Sequence, residues 1–274
     1  AACPRCAGCR TEGKLPCLPG SEANAAGELL GGGSRLRRGG QSVGHHLGIS
    51  AFATHAVVDR RSIVPVDADV PPAVAALLGC AVLTGGGAVL NAGRPQQGDD
   101  VVVVGLGGVG MAAVMTAASL GAGQVIGVDT VPAKLTAARA AGASRTSTPQ
   151  QALEEGLRAP VVVEAAGNAR AFETAVQLTA PGGTTVTVGL PAPDARARIA
   201  PLGLTAEART IVGSYLGSAV PARDIPTYVR LWRQGRLPVE QLVSATIGLE
   251  DVNEAMDTLA DGLAVRQLIV PGLG

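Results

Sequence analysis

The chain has 274 residues, which is enough for a large buried core in one or two domains without disulfide support. Its 22 basic residues balance 22 acidic ones, so no overall field favours nucleic acid or an anionic membrane as a partner. No signal peptide is recognised and no apolar run is expected to approach the roughly 20 residues that span a bilayer. The chain is therefore predicted to be cytoplasmic, with reduced thiols.

Four cysteines open the chain at the spacing C-x2-C-x2-C-x7-C, as Cys3, Cys6, Cys9 and Cys17. Four thiolates at such spacing are typical of a tetrahedral structural zinc site without an open position. An iron–sulfur cluster remains an alternative because its ligand spacings are similar. A thioredoxin-type redox motif is disfavoured, since it needs one C-x-x-C beside a βαβ pattern. The sequence thus predicts a metal lobe over residues 3–17.

A ribbon of two short polar strands, joined by the Gly39–Gly40 turn, is predicted for LLGGGSRLRRGGQSVG. Its arginines, Arg35, Arg37 and Arg38, are interpreted as a solvated hairpin edge, because a nucleic-acid patch would interleave aromatic residues. The next stretch, ISAFATHAVVDRRSIVPV, has strand-like runs of apolar and β-branched residues.

The three histidines are His45, His46 and His55. Neighbouring residues of a strand point to opposite faces, so His45 and His46 are poorly placed to bind one metal ion. Local hydrogen bonding is the favoured interpretation of all three.

The periodicity becomes helical at Pro71 and Pro72, which begin a helix through AVAALLG. Cys80 follows and is predicted to lie at the end of this helix. Taken by itself, a solitary cysteine in an apolar segment is most simply a core residue.

The strongest pattern lies in GDDVVVVGLGGVGMAAVMTAASLGAGQVIGVD. A wholly apolar strand, residues 101–104, leads into the motif G-x-G-x-x-G and a helical segment that extends to Gly121. A second apolar strand, residues 125–128, ends in Asp129. This order of strand, glycine turn, helix, strand and acid is the dinucleotide-binding fingerprint. The alternative is a bare glycine-rich turn in an α/β core.

Each glycine of the motif has a physical task. Gly105 permits the tight turn, Gly107 leaves room for the pyrophosphate, and Gly110 lets helix and strand pack closely. The helix N-terminus then offers unpaired N–H groups to the phosphates. The predicted cofactor-binding loop contains Gly105, Gly107, Gly108 and Gly110.

Asp129 indicates which dinucleotide is bound. Its carboxylate can accept hydrogen bonds from both ribose hydroxyls and would repel a 2′-phosphate, which favours NAD over NADP. Lys134, in the following helix, either covers the adenosine ribose or is a plain surface residue.

Strands and helices continue to alternate through APVVVEAAG, ARAFETAVQLT, GGTTVTVGLP and TIVGSYLG. Such crossovers build a doubly wound parallel sheet whose ligand lies at the carboxyl ends of the strands. Gly167, Val188, Gly189 and Leu190 fall at these ends and are predicted to form walls around the nicotinamide half of the cofactor.

The pattern changes after Gly217. A helix over residues 221–234 is followed by a strand, an acid-capped helix and a final strand, which are expected to return to the first domain. The predicted organisation is therefore 1–81, then 82–217 for the dinucleotide domain, then 218–274. Arg266, just before the last strand, is either a pyrophosphate contact or an ordinary surface charge.

Five segments together resemble the zinc-dependent medium-chain alcohol dehydrogenases over essentially the whole chain: CPRCAGCRTEGKLPC, HHLGISAFATHAVV, AALLGCAVLTGGGAVLN, GLGGVG with Asp129, and VRQLIVP. The resemblance implies an α/β fold with a Rossmann doubly wound parallel sheet. It also implies a GroES-like, mainly β catalytic domain, incomplete at its N-terminus, that carries the structural zinc lobe of Cys3, Cys6, Cys9 and Cys17.

The resemblance also assigns further residues. It makes Cys80 a ligand of a catalytic zinc, places Thr84 and Val109 against the nicotinamide ring, and gives Arg266 a pyrophosphate contact. The implied reaction is hydride transfer to NAD from a zinc-bound primary or secondary alcohol, giving an aldehyde or ketone. A small-molecule alcohol or aldehyde is the expected substrate, and a homodimer or homotetramer the expected assembly, with TIVGSYLG as an edge strand.

One departure from the family limits this expectation. Similar enzymes supply the other ligands of the catalytic zinc from a segment upstream of the metal lobe, and a catalytic site normally needs three protein ligands. The chain is therefore expected to be a fragment with little or no activity. The alternatives are a non-catalytic zinc-stabilised NAD-binding protein and a thiol-adduct formaldehyde dehydrogenase of the same family. A zinc-knuckle nucleic-acid binder is disfavoured by the neutral charge.

Overall fold

The protein divides into two compact units in a computed structural model that describes residues 3–11 and 15–272. The larger unit is Val70–Leu242, and the smaller unit combines Ala1–Asp69 with Val243–Gly274.

The strands belong to one large sheet and two small ones. In chain order they are β1 (Leu36–Arg38), β2 (Gln41–Val43), β3 (Val101–Val104), β4 (Val125–Val128), β5 (Arg145–Ser147), β6 (Ala159–Glu164), β7 (Thr179–Thr187), β8 (Thr210–Gly213), β9 (Val243–Ile247) and β10 (Arg266–Ile269). The large sheet has the order β5-β4-β3-β6-β7-β8 and is parallel throughout. The chain reverses its direction of winding between β3 and β6, which is the topological switch point of a doubly wound fold.

The helices follow the strands of the large sheet and also occur in the smaller unit. In chain order they are α1 (Ala7–Arg10), α2 (Leu18–Ala25), α3 (Pro72–Gly93), α4 (Gly108–Ser119), α5 (Pro132–Ala140), α6 (Pro149–Glu154), α7 (Ala169–Gln177), α8 (Pro201–Ala206), α9 (Pro221–Arg233) and α10 (Val252–Ala260). Short 3-10 segments lie at Arg60–Ser62, Tyr215–Ser218 and Val239–Leu242.

The predicted doubly wound parallel sheet is confirmed. Its central strand β3 is four consecutive valines, all buried, because a parallel strand covered by helices on both faces has no solvent side. Valine also suits the pleated backbone, since its branched side chain is stiff at χ1. β5 was not predicted from the sequence, because its three residues, Arg-Thr-Ser, show no apolar run.

Helix α3 corrects the prediction that a helix ends near Cys80. It continues to Gly93 through two π-helical segments, Leu78–Val82 and Ala88–Gly93. A Cβ added to Gly85 would lie 2.1 Å from the carbonyl oxygen of Val109 on α4. The consecutive glycines therefore permit close helix packing, because a side chain at Gly85 would collide with the backbone of α4.

The length of α3 also contradicts the expectation that no apolar run reaches membrane-spanning size. By length and composition α3 could cross a bilayer, but 67% of its most apolar window is buried within the structure. Such burial is typical of an apolar helix in the core of a globular unit.

The unit boundaries fall at residues 69/70 and 242/243, rather than at 81/82 and 217/218 as the sequence suggested. The reason is that α3 and α9 pack together within the larger unit. Tyr228 of α9 is fully buried, and a Cβ on Gly86 would lie 2.6 Å from its ring. Asn91 on α3 also donates a 3.2 Å hydrogen bond to the Asp224 carboxylate of α9.

In the smaller unit the predicted ribbon is confirmed as the antiparallel pair β1–β2, joined by Gly39 and Gly40 with positive φ. The predicted strand at ISAFATHAVVDRRSIVPV is wrong: residues 49–66, all of them described, form no strand and include the 3-10 turn at Arg60–Ser62. A strand needs a neighbour for its backbone hydrogen bonds, and none of the described strands pairs there. β9 and β10 form a separate parallel pair.

The close packing of α3 predicts that Gly86→Ala destabilises the larger unit. The new methyl group would overlap the ring of Tyr228, and such overpacking costs about 1–3 kcal/mol. Urea unfolding followed by the fluorescence of Trp232, which is the chain's one tryptophan, measures the effect.

The matched control is Gly79→Ala on the same helix, where an added Cβ meets no atom within 4 Å. It should leave the unfolding midpoint unchanged or raise it, because alanine is the better helix former. Equal midpoints for the two variants would contradict the packing described.

Candidate functional site

Two close backbone contacts determine the shape of the glycine loop after β3. Gly105 has φ of +92°, and a Cβ there would lie 2.5 Å from the amide nitrogen of Ala166. A Cβ on Gly110 would lie 1.8 Å from the carbonyl oxygen of Gly105. Both positions exclude any side chain for reasons internal to the fold.

Gly107 differs from these two glycines. Its φ of −78° and ψ of −171° are open to any residue, and a Cβ there would meet no atom within 4 Å. The fold therefore does not require glycine at this position. The open space lies at the start of α4, where a ligand could approach the backbone.

Helix α4 begins without a side-chain cap, and its first turn contains no acidic residue. The amide of Met111 bonds to the carbonyl of Gly107 at 2.8 Å, so the amides of Gly108, Val109 and Gly110 precede the first intrahelical bond. Such amides, together with the positive end of the helix dipole, form a site for an anion such as a phosphate.

Asp129 lies where β4 ends and holds two loops in place. Its Oδ2 accepts a 2.7 Å hydrogen bond from the Leu106 amide of the glycine loop, and its Oδ1 accepts one of 2.9 Å from the Val131 amide. A carboxylate can accept about four hydrogen bonds, so capacity for ribose hydroxyls remains. Lys134 lies in the first turn of α5, partly buried, and its amide bonds to the Val131 carbonyl at 3.0 Å.

The loops after β6 and β7 meet backbone to backbone. A Cβ on Gly189 would lie 2.4 Å from the Cα of Gly167, and one on Gly167 would lie 3.1 Å from the Leu190 nitrogen. Val188 is half-buried and Leu190 is exposed. The structure thus brings these four predicted residues together at the carboxyl ends of neighbouring strands.

Glu164 is a site residue that was not identified from the sequence. It is the last residue of β6 and is 1% exposed. Its side chain accepts hydrogen bonds from the amides of Ala166 and Gly167 and from the Thr187 hydroxyl. The available signal was an acid that ends an apolar strand, which is the pattern already recognised at Asp129.

Thr84 and Val109 lie on helices that touch. Thr84 is buried on α3, and its neighbour Gly85 contacts the backbone of Val109 in the first turn of α4. Cys80 lies one turn earlier on α3 and is exposed. Among the residues that the structure describes, no group of three or more metal-ligating side chains includes Cys80.

The first four cysteines converge. The sulfurs of Cys3, Cys6, Cys9 and Cys17 all lie within 4.8 Å of one another, and two pairs, Cys3–Cys9 and Cys6–Cys17, are 3.9 Å apart. A tetrahedron with zinc–sulfur bonds of about 2.3 Å has sulfur–sulfur distances of about 3.8 Å. The residues present therefore fit a tetrahedral zinc ion.

Backbone amides point at these sulfurs. The Cys6 amide donates to Cys3 Sγ at 3.3 Å, and this bond is the largest cause that lowers the pKa of Cys3 to about 6. Burial and the neighbouring thiols raise the pKa of Cys9 to about 12. A bound cation would stabilise all four sulfurs as thiolates.

The remaining candidates lie in the smaller unit. Arg266 is the first residue of β10, is half-buried, and donates to the Val265 carbonyl at 2.9 Å. The ring of His55 lies 3.2 Å from the Thr54 hydroxyl, as local hydrogen bonding predicted. The buried Nδ1 of His45 has no hydrogen-bond partner, whereas the His45 amide donates to the Gly27 carbonyl at 2.6 Å.

Comparison with known proteins gives consistent similarities. The family described as "Zinc-binding dehydrogenase" matches residues 108–234. Alcohol dehydrogenase 1 of Pisum sativum is 30% identical over 97% of this chain and 73% of its own length. The S-(hydroxymethyl)glutathione dehydrogenase of Synechocystis sp. is 31% identical over 98% of this chain and 75% of its own length.

Two solved structures are similar over nearly the whole chain. An alcohol dehydrogenase zinc-binding domain protein from Burkholderia ambifaria superposes with a TM-score of 0.91 at 30% identity, over 98% of this chain and 75% of the other. The benzyl alcohol dehydrogenase of Acinetobacter calcoaceticus gives 0.85 at 28% identity with the same coverage. These likenesses confirm the predicted fold class, a Rossmann sheet joined to a GroES-like part.

The sulfur geometry predicts that Cys17→Ser releases the metal. Purified wild-type chain should hold about one zinc ion in this lobe, and the variant should lose most of it because a hydroxyl is a poor zinc ligand. Elemental analysis and the absorption of the cobalt-substituted protein measure both. Cys80→Ser is the control and should keep this ion; a Cys17→Ser chain with undiminished zinc would contradict the assignment.

Proposed function

Because the chain belongs to the zinc-dependent medium-chain alcohol dehydrogenase family, we propose that it binds NAD for hydride transfer from an alcohol, giving an aldehyde or ketone. The observation that carries the proposal is the open space at Gly107. Glycine there is unnecessary for the fold, yet it leaves the start of α4 free for a diphosphate.

The adenosine half of the cofactor is proposed to lie toward β4. Asp129, fixed by the Leu106 and Val131 amides, would accept the two ribose hydroxyls and repel a 2′-phosphate, which favours NAD over NADP. Lys134, in the first turn of α5, is proposed to cover the same ribose.

The nicotinamide half is proposed to lie beyond the switch point, toward β6 and β7. Gly167, Val188, Gly189 and Leu190 would form its wall on the sheet side. Thr84 and Val109, on touching helices, would press on the ring from the α3 side. Burial of the ring between them would exclude water and align the carbon that receives the hydride.

Arg266 is proposed as a cationic contact for the pyrophosphate. An arginine recognises phosphate oxygens through paired N–H donors. Arg266 belongs to the smaller unit. Its assignment rests on the family resemblance alone.

The zinc of the cysteine lobe is proposed to be structural. Four thiolates complete a tetrahedral shell and leave no position for substrate. A second, catalytic zinc does not fit the described residues, because Cys80 has no group of ligands beside it. The described residues would therefore support NAD binding and only slow oxidation of an alcohol.

The second candidate is a zinc-stabilised NAD-binding protein without catalysis, which the isolation of Cys80 among the described side chains favours. Zinc content and NADH production separate the candidates. NADH formation from ethanol or benzyl alcohol above the rate without protein supports the dehydrogenase, and a second zinc ion per chain would overturn the statement that Cys80 lacks partners. One ion, bound NADH and no turnover support the binding protein.

Assembly and location are part of the proposal. β8 is an edge strand of the large sheet, and an edge can pair with a second copy across a two-fold axis, giving a homodimer or homotetramer. A cytoplasmic location would keep the thiols of the metal lobe reduced. Since one relative carries the name S-(hydroxymethyl)glutathione dehydrogenase, thiol adducts of formaldehyde are included among the substrates to be tested.

The test of cofactor binding is Gly107→Val. The side chain would occupy the space proposed for the pyrophosphate and should weaken NADH binding by at least about tenfold, measured by NADH fluorescence and calorimetry. A Cβ at this position meets nothing within 4 Å, so the expected loss of stability is only the cost of valine at the N-cap of α4, about 1 kcal/mol.

Gly203→Ala is the matched control, because a Cβ there also meets no atom within 4 Å; it should leave NADH binding intact. Wild-type protein that binds no NADH at millimolar concentration, or a Gly107→Val variant that binds as tightly as wild type, would refute the proposal.

The proposed specificity is tested with Asp129→Asn. Removal of the charge should weaken NADH binding and improve the relative binding of NADPH, because the repulsion of a 2′-phosphate is lost. The ratio of the two dissociation constants, measured by calorimetry on one preparation, should shift toward NADPH by about tenfold. An unchanged ratio would show that Asp129 does not read the ribose.

A further inference from the structure

Glu164 is a buried acidic residue to which the proposed hydride transfer assigns no role. It ends β6, beside the switch point, and is 1% exposed. Its side-chain hydrogen bonds come from donors only: two backbone amides and one hydroxyl. A buried carboxylate is retained at low cost only when such donors replace its water.

The three donors lie at the carboxyl ends of two different strands. Oε1 accepts the amides of Ala166 at 2.9 Å and Gly167 at 2.7 Å, in the loop after β6. Oε2 accepts the hydroxyl of Thr187 at 2.8 Å, at the end of β7. One side chain thus ties together the carboxyl ends of two neighbouring strands.

The backbone of Glu164 adds to this connection. Its carbonyl oxygen accepts the amides of Val188 at 2.9 Å and Gly189 at 3.3 Å. A Cβ on Gly189 would lie 2.9 Å from Oε2, so the glycine is required for the carboxylate to fit. Glu164 therefore sets the position of Gly167, Val188 and Gly189, which are the wall residues.

The glycine loop has its own attachments. The Gly105 amide bonds to the Val128 carbonyl at 2.8 Å, and the Leu106 amide bonds to Asp129 at 2.7 Å. The adenosine and diphosphate side of the site thus has its own hydrogen bonds to β4 and Asp129, although Gly105 also packs against Ala166, which donates to Glu164. A loss at Glu164 should act mainly on the part of the ligand beyond the diphosphate.

We propose that Glu164 is a positioning residue that holds the nicotinamide-side wall of the cofactor site. This inference rests on the proposed function, since it requires that NAD be the ligand. The proposal predicts that substitution of Glu164 weakens the binding of NADH more than the binding of ADP-ribose. ADP-ribose has the adenosine, diphosphate and ribose but lacks the nicotinamide ring.

The test compares NADH with ADP-ribose in calorimetry on the full chain. Glu164→Gln replaces a charged acceptor by a neutral amide and leaves one buried N–H without a partner, so NADH should bind about tenfold more weakly. Binding of ADP-ribose should change by less than about threefold. Glu154→Gln, at an exposed position on α6, is the matched control and should bind both ligands as wild type does.

Thr187→Val provides a second variant should Glu164→Gln fail to fold. It removes the single donor to Oε2 and should weaken NADH binding by about threefold, with ADP-ribose unaffected. Equal weakening of both ligands, or unchanged NADH binding, would overturn the positioning role. Wild-type protein that binds neither ligand would instead refute the proposed function, so the two failures are distinguishable.

Discussion

The site depends on how closely two backbone segments approach each other at the start of α4. The carbonyl of Gly105 occupies the space that a side chain on Gly110 would need, and Gly105 itself lies against Ala166. Only glycine permits both contacts, so the first turn of α4 is held directly against the ends of β3 and β6. This arrangement exposes the amides of that turn at the switch point of the sheet, where a diphosphate could reach them.

Two carboxylates organise the loops on either side of this point. Asp129 joins the glycine loop to the end of β4, and Glu164 joins the ends of β6 and β7. Asp129 directly follows an apolar strand and Glu164 ends one, and both accept backbone amides that would otherwise need water. The difference is that Asp129 keeps partial exposure and hydrogen-bonding capacity for a ligand, whereas Glu164 is fully enclosed and serves the structure around it.

The cysteines lie in two different chemical environments. Four sulfurs of the lobe already have distances suited to zinc, and backbone amides point at them. Cys80 is exposed on α3 without a ligand group around it in the described part of the chain. Four cysteines thus lie together in the smaller unit at distances that suit one zinc ion, whereas Cys80 has no such group beside it among the described residues, because only the first spacing gathers four ligands locally.

The sequence by itself determined the features that depend on local spacing: the cysteine lobe, the glycine fingerprint with Asp129, the hairpin at Gly39–Gly40 and the buried valine strands. It misjudged α3 and the strand at residues 49–66, and it did not indicate the contacts of Glu164. Tertiary contacts decided these three. Glycines of α3 face Tyr228 and Val109, a strand exists only with a partner, and the donors to Glu164 come from residues up to 23 positions away. The local spacing of residues does not indicate which distant residues become packing or hydrogen-bond partners.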